Sequence, residues 1–240
     1  MRREGAREWT RGLYRRWLPP GPDAHTTYLH LARVHCPLGG RVVDLGCGEE
    51  DYLAELEEVA GELVGVDARP VAGRYGRYLQ ADLEGELPLE PGSVDLAACK
   101  FLLEHLEDPV RFMRAVREAL VPGGRFLVLT ANVLYYPYAA NFVLSRLLSQ
   151  EARMRLVGRV SGRRPGEIFP VRYRCNTPGA LRAAMEGAGY EVQHLRTYPD
   201  YLVSAVNRPL GAMAVAYEKA VALLGLEGAG GFMVAMGGRR

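Results

Sequence analysis

The run Arg41-Val42-Val43-Asp44-Leu45-Gly46-Cys47-Gly48 constrains the fold more than any other stretch of the chain. A short apolar strand ends in Gly-x-Gly, and helical spacing through Tyr52, Leu53, Leu56 and Val59 follows over residues 51–60. Glycines at such a turn accept positive φ and let the backbone approach a ligand closely. Leu63 to Val66 then reads as a second strand.

The alternation continues downstream. Arg77 to Gln80 predicts a third strand, Pro91-Gly92 a turn, and Val94 to Cys99 a fourth strand. Asp108-Pro109 opens a helix, an N-cap acid followed by proline at N1. Its apolar face carries Val110, Met113, Val116 and Leu120, and Pro122-Gly123-Gly124 stops it before a fifth strand, Arg125 to Thr130. The pattern breaks over residues 132–176, which hold a predicted helix, Tyr138 to Leu156, and an Arg-rich loop. Thr177-Pro178 starts another helix, Glu191 to Thr197 is a sixth strand, Arg208 to Leu224 is helical, and Gly231 to Met236 is a last strand. Upstream, residues 1–24 form a short Arg-rich amphipathic helix with Trp9, Tyr14 and Trp17, broken at Pro19-Pro20-Gly21-Pro22, before a helix from Asp23 to His35. Alternating strands and helices imply an α/β, doubly wound, mostly parallel sheet with helices on both faces and ligands at the strands' carboxyl ends. A chain of 240 residues, 48% of them apolar, fits one domain spanning 1–240.

The ligand can be argued from charge. A nicotinamide dinucleotide site requires G-x-G-x-x-G, with a helix N-terminus facing pyrophosphate. Here Asp51 stands at the third glycine position, after Glu49 and Glu50. Three acids at a helix start suit the helix dipole but repel phosphate. They are compatible with a cofactor that carries a positive sulfonium and ammonium, which favours S-adenosylmethionine. Asp67, at the end of the second strand, can accept both ribose hydroxyls. Asp82, just past the third strand in Gln80-Ala81-Asp82-Leu83, stands where an adenine amino group needs an acceptor.

In this order, Asp44-Leu45-Gly46-Cys47-Gly48, Asp67, Asp82, Pro91-Gly92-Ser93-Val94-Asp95, Leu103-Glu104-His105-Leu106-Glu107-Asp108-Pro109 and Leu120-Val121-Pro122-Gly123-Gly124 resemble the class I S-adenosylmethionine-dependent methyltransferases, a Rossmann-like family. The resemblance covers roughly Arg41 to Thr130. It implies a seven-stranded sheet whose last strand is antiparallel, with residues 132–176 as a helical lid insertion on the substrate side after the fifth strand. It further implies that Gly46, Cys47 and Gly48 line the methionine moiety, that Asp44 orients its ammonium, and that Asp67, with Ala68 beside it, holds the ribose. Asp82 and Leu83 would contact adenine, and Lys100 and Phe101 would border the methyl group. The family often has a small or polar residue where Lys100 stands, so this cation is expected to point away or to pair with an acid. Residues 1–24 are expected either as a lid helix over the cofactor or as a simple packed helix.

For the acceptor, the sequence offers candidates. His105 is the candidate general base, its alternative being a structural histidine that braces its turn. His25, His30 and His35 read as helix or surface residues. Arg153, Arg155, Arg159, Arg163, Arg164, Arg172 and Arg174 form a basic tract, either an anion site or a solvated loop. Arg172 and Arg174, interleaved with Tyr173, are its sharpest members, and Tyr135 and Tyr136 are candidates to shape the acceptor pocket. The expected acceptor is a small molecule, mildly favoured as anionic. The alternatives are an RNA or protein methyltransferase using the Arg-rich insertion, or, less favoured, a nicotinamide oxidoreductase.

Bulk properties narrow the classes. A net charge of +2 does not argue for nucleic acid or an anionic membrane. Cys36, Cys47, Cys99 and Cys175 form no C-x-x-C pair and no metal cluster is visible, so neither zinc nor a redox dithiol is expected. No apolar run is long enough to span a membrane, and the N-terminus lacks a signal-peptide core. A cytoplasmic monomer or homodimer is the resulting expectation.

Overall fold

The computed structural model describes residues 2–18, 21–149, 152 and 171–239. Among these residues the strands β1 (Arg41–Leu45), β2 (Glu62–Asp67), β3 (Arg77–Gln80), β4 (Val94–Lys100), β5 (Leu120–Ala131), β6 (Tyr190–Tyr198) and β7 (Phe232–Arg239) form a seven-stranded sheet. Their order is β3-β2-β1-β4-β5-β7-β6. Neighbours from β3 through β5 pair in parallel, and β7 is antiparallel to both β5 and β6. From β1 the chain steps outward to β3, then crosses back to β4 on β1's other side. The crevice between the carboxyl ends of β1 and β4 is therefore the topological switch point, where open α/β sheets bind ligands.

Period-two alternation along the strands builds both cores. Val43, Leu45, Val64, Val66, Ala97, Cys99, Phe126 and Val128 face one side. There they meet Phe112, Met113 and Val116 of α3 (Pro109–Ala119) and Leu181 and Met185 of α5 (Pro178–Gly187). Val42, Leu63, Leu96, Ala98, Leu127 and Leu129 face the other side, against Ala24, Tyr28 and Ala32 of α2 (Ala24–His35) and against Leu53 and Leu56. Side-chain caps fix the helix starts: Asp23 accepts from Thr26 N, Asp108 from Arg111 N, and Thr177 from Ala180 N.

α1 (Arg2–Trp17) packs along α6 (Arg208–Leu223), where Thr10 sits against Gly211, and Tyr14 stacks on Tyr201 with ring centroids 3.9 Å apart. Residues 2–17 are thus helical and packed, as either a lid helix or a simple packed helix would be. α4 (Tyr136–Leu147) begins two residues before the expected Tyr138 and ends at extended Leu148; residues 153–156 lie outside the described residues.

Two local expectations fail for physical reasons. Residues 51–60 hold only a five-residue 3₁₀ segment, Ala54–Glu58. Leu53, Leu56 and Val59 recur every three residues, the 3₁₀ period, and Asp51 takes φ 42°, outside any right-handed helix. The helix before β5 ends at Ala119, and Leu120 belongs to β5. Val94 pairs with Leu120 but Leu96 with Arg125, so Pro122-Gly123-Gly124 form a bulge inside β5.

Candidate active site

The turn after β1 is pinned to β2. The amides of Gly46 and Cys47 donate to the Val66 carbonyl at 2.7 and 3.3 Å. Gly46 (φ 72°) approaches the segment after β4 so closely that a Cβ there would lie 3.2 Å from Leu102 Cδ1. Gly48 (φ 56°) is different: nothing lies within 4 Å of where its Cβ would stand. Its amide donates to Asp67 Oδ2 at 3.0 Å. Asp67 Oδ1 accepts from Arg69 N at 3.0 Å. Each carboxylate oxygen has two lone pairs, so Asp67 retains capacity for ligand hydroxyls. Ala68, next along, is exposed.

Two tyrosines that sequence reasoning missed organise the acids. Buried Asp44 accepts from Tyr75 Oη at 2.7 Å, and the same hydroxyl oxygen accepts from Leu53 N at 2.9 Å. Burial raises the Asp44 carboxyl to about 6, against the stabilising Tyr75 hydrogen bond. Asp51 accepts from Tyr78 Oη at 2.5 Å and from Arg74 N at 2.8 Å. Asp51 thus anchors the loop before β3 instead of starting an α-helix, and the helix-dipole part of the sequence reasoning does not hold. The charge part rests on Asp44, Asp51 and Asp67 near an open glycine turn, Glu50 being paired with Lys100; the three acids make a field that suits a cationic ligand and opposes phosphate. Together, the open space at Gly48, the acid at the end of β2 and this anionic field fit the ligand expected from the sequence.

At the end of β4, Lys100 is 7% exposed and its Nζ lies 3.5 Å from Glu50 Oε2. The ammonium also sits over the Tyr52 ring. Burial lowers it to about 8, with Glu50 acting in the opposite direction. The expected pairing with an acid is what the structure has. Phe101 takes φ 54°, and its ring lies 5.4 Å from Phe232 and 6.0 Å from His25. His25 stacks on Tyr52 at 5.9 Å and meets Phe232 edge-on at 5.7 Å. Tyr138 is 6.3 Å from Phe232. Because β7 runs antiparallel, its first residue Phe232 pairs with Ala131 at the end of β5. Rings from α2, the glycine turn, β4, α4 and β7 therefore gather at the carboxyl edge of the parallel strands. Of this group only Phe101 was singled out from sequence as a site residue; the others lie far apart in the chain and carry no motif.

His105 is half-buried in the turn after β4, its amide bonded to the Leu102 carbonyl at 2.9 Å. Beside it, buried Glu104 accepts from Thr130 Oγ1 at 2.8 Å, and Thr130 in turn accepts from Asn176 Nδ2 at 2.8 Å. Burial raises the Glu104 carboxyl, opposed first by the charge of His105. The Glu104 carbonyl accepts from the amides of Arg172 and Tyr173 at 2.6 and 3.2 Å, which ties residues 172–176 to the sheet.

The remaining candidates scatter. Tyr135 is fully buried, its hydroxyl donating to the Asp200 carbonyl at 2.9 Å, so it is a packing residue and does not line an acceptor pocket. Tyr136 donates to Ser204 Oγ at 2.6 Å. Arg172 and Arg174 both reach Glu107, at 2.7 and 3.2 Å, while Tyr173 (φ 52°) accepts from Asn141 Nδ2 at 3.0 Å. Glu107 lines a recess of about 130 Å³ beside Leu83, Glu84 and Phe112, not the ring cluster. Leu83 is buried in the core; Asp82 is exposed, and its Oδ1 accepts from Glu84 N at 3.0 Å. Arg153, Arg155, Arg159, Arg163 and Arg164 lie outside the described residues. All four cysteines are buried free thiols. No group of three or more potential metal ligands occurs among the described residues, and none of the described helices is long and apolar enough to cross a membrane.

Known proteins share the fold and parts of the sequence. Residues 43–128 match the family described as a methyltransferase domain. A ubiquinone biosynthesis O-methyltransferase from Methylococcus capsulatus is 27% identical over 73% of this chain and 80% of its own length. One of the same name from Xanthomonas campestris pv. campestris is 30% identical over 42% of this chain, and this match spans about half of that protein, 46%. Among solved structures, an S-adenosylmethionine-dependent methyltransferase from Mesorhizobium loti superposes with a TM-score of 0.51 at 23% identity, covering 99% of this chain and 100% of that one. At that identity the likeness is one of fold.

Proposed function

We propose that this chain, a class I S-adenosylmethionine-dependent methyltransferase with S-adenosylmethionine as its cofactor, methylates a hydroxyl of a small aromatic acceptor. The observation that carries the acceptor reading is the ring cluster of His25, Tyr52, Phe101, Tyr138 and Phe232 at the end of β4. Aromatic side chains offer stacked and edge-on contacts to a planar ring, each worth about 0.5–1.5 kcal/mol beyond area burial. The name O-methyltransferase carried by the curated relatives supports oxygen as the nucleophile.

When bound, the cofactor supplies a methyl group on a positively charged sulfur, an electrophile that needs alignment more than activation. The roles of the chain's own residues follow. Asp67 would hold the ribose hydroxyls with the lone pairs it does not spend on Gly48 and Arg69. Gly46, Cys47 and Gly48 would line the methionine moiety, and Asp44, steadied by Tyr75, would face its ammonium. Asp82 and Leu83 would border adenine. Lys100, neutralised by Glu50, and Phe101 would flank the transferred methyl. The pairing of Arg172 and Arg174 with Glu107 weighs against their serving as an open anion or nucleic-acid surface.

The test is methyl transfer from radiolabelled cofactor to catechol, phenol, an aliphatic alcohol, an aliphatic amine and bulk RNA. Label on the phenolic oxygens alone is expected. Label on RNA or the amine, with the phenols untouched, overturns the acceptor assignment.

A further inference from the structure

We propose that His25, on the first turn of α2, is the general base that takes the proton from the acceptor hydroxyl. The proposal rests on the aromatic-acceptor reading above and adds the residue that activates the oxygen. His25 stacks on Tyr52 and meets Phe101 and Phe232 edge-on, so its imidazole belongs to the ring cluster beside the end of β4. A histidine kept for structure commonly spends a ring nitrogen on a backbone or carboxylate partner. Here Nδ1 is buried and has no hydrogen-bond partner, so no protein hydrogen bond from that nitrogen fixes the ring. Leaving such a nitrogen unpaired is unfavourable, a penalty that a bound hydroxyl relieves when the ring turns towards it. The ring is only half-buried, which leaves an edge open to such a molecule.

Burial and a nearby ammonium favour the basic form. Burial comes first in lowering the imidazole pKa, and the Lys100 ammonium acts in the same direction; Asp23, the cap of α2, and Glu50, the partner of Lys100, act against them. Tyr52, Phe101 and Phe232 bring no charge. At neutral pH the neutral imidazole is thus available to accept a proton. In the step, the methyl–oxygen bond forms as the methyl–sulfur bond breaks, the sulfur becomes an uncharged thioether, and the hydroxyl proton passes to His25. The resulting imidazolium returns that proton to solvent after the product leaves.

The experiment compares wild type, His25→Gln and His105→Gln on two probes, catechol and 4-nitrocatechol. A phenolic hydroxyl ionises near pH 10, whereas the nitro compound is already largely ionised near neutrality and needs no base. Removing a general base costs on the order of 100-fold or more. His25→Gln is therefore expected to lose about 100-fold in kcat on catechol, with KM little changed. It should stay within a few-fold of wild type on 4-nitrocatechol, and the catechol deficit should narrow as pH rises towards 10. Activity on the nitro compound and calorimetric binding of S-adenosylhomocysteine report that the variant is folded. Equal losses on both probes, or no loss on catechol, overturn the proposal, as does a catechol-selective loss in His105→Gln instead. Wild type inactive on both catechols overturns the aromatic-acceptor reading and the base with it, whereas an active wild type with an unaffected His25→Gln overturns the base alone.

Discussion

Replacing Gly48 with alanine separates two things a glycine can do in the turn after β1. Gly48 stands at φ 56° and faces open space. Alanine in the left-handed region costs about 1–2 kcal/mol, and no protein atom lies within 4 Å to add a clash. Gly39 is a matched control. It stands at φ 73°, also with nothing within 4 Å, but in the loop that enters β1 at the opposite end of the strand. For a chain of this size 1 kcal/mol shifts Tm by about 2–4 °C, so both alanine variants should melt roughly 2–8 °C lower than wild type. Their ligand binding should diverge. The new methyl at position 48 projects into the space assigned to the cofactor, so S-adenosylhomocysteine binding by calorimetry should weaken at least tenfold, about 1.4 kcal/mol or more. Gly39→Ala should bind as wild type does. If Gly48→Ala binds as tightly as Gly39→Ala, the open space at Gly48 is not the cofactor's, and the placement of the methionine moiety there is wrong.

Two further outcomes are expected. Lys100→Met removes a buried cation that the proposed site sets beside the sulfonium, so affinity for S-adenosylmethionine should rise relative to S-adenosylhomocysteine, whose sulfur is uncharged. In wild type the same ratio should drift as Lys100 loses its proton around pH 8; calorimetry with both ligands checks each, and an unchanged ratio in Lys100→Met shows that its charge does not reach the sulfur. Burial raises the Asp200 carboxyl from 3.8 to about 7, with the Tyr138 hydrogen bond opposing, and Glu218 beside it is also raised to about 7. A folded pKa above the unfolded one means that stability is full below pH 4 or so and is lost as pH rises through 7, by about 4 kcal/mol at most for Asp200 alone. Asp200→Asn keeps the acceptor for Tyr138 Oη, which lies 2.6 Å from Asp200 Oδ2. Its Tm should therefore fall less than that of wild type between pH 5 and 8, and parallel melting profiles would count against a buried neutral Asp200.

What the chain states locally, it states well. Caps at Asp23, Asp108 and Thr177 act on amides three residues away, and the alternation in Val42 to Leu45 assigns each side chain to a face without reference to the rest of the fold. The glycine turn and Asp67 were legible for the same reason: strand, turn and acid form one continuous unit. Residues 51–60 misled because apolar residues three apart satisfy both a 3₁₀ and an α-helical pattern, and the tie was broken from outside, by Tyr75 and Tyr78 reaching back to Asp44, Leu53 and Asp51. Arg172 and Arg174 read as a basic tract in one dimension and become a pair of ligands for Glu107 in three. His25 is the sharpest case. Its first-turn helical position and neighbours Ala24 and Thr26 mark it as ordinary, and only the packing of α2 over the ends of β4 and β7 brings it to Phe101 and Phe232. The sequence by itself determined the sheet, the glycine turn and the cofactor class, because those depend on periodicity, backbone freedom and the sign of nearby charge. The tertiary structure alone decided which rings gather at the carboxyl edge of the sheet, because contacts between residues tens of positions apart leave no local pattern to read.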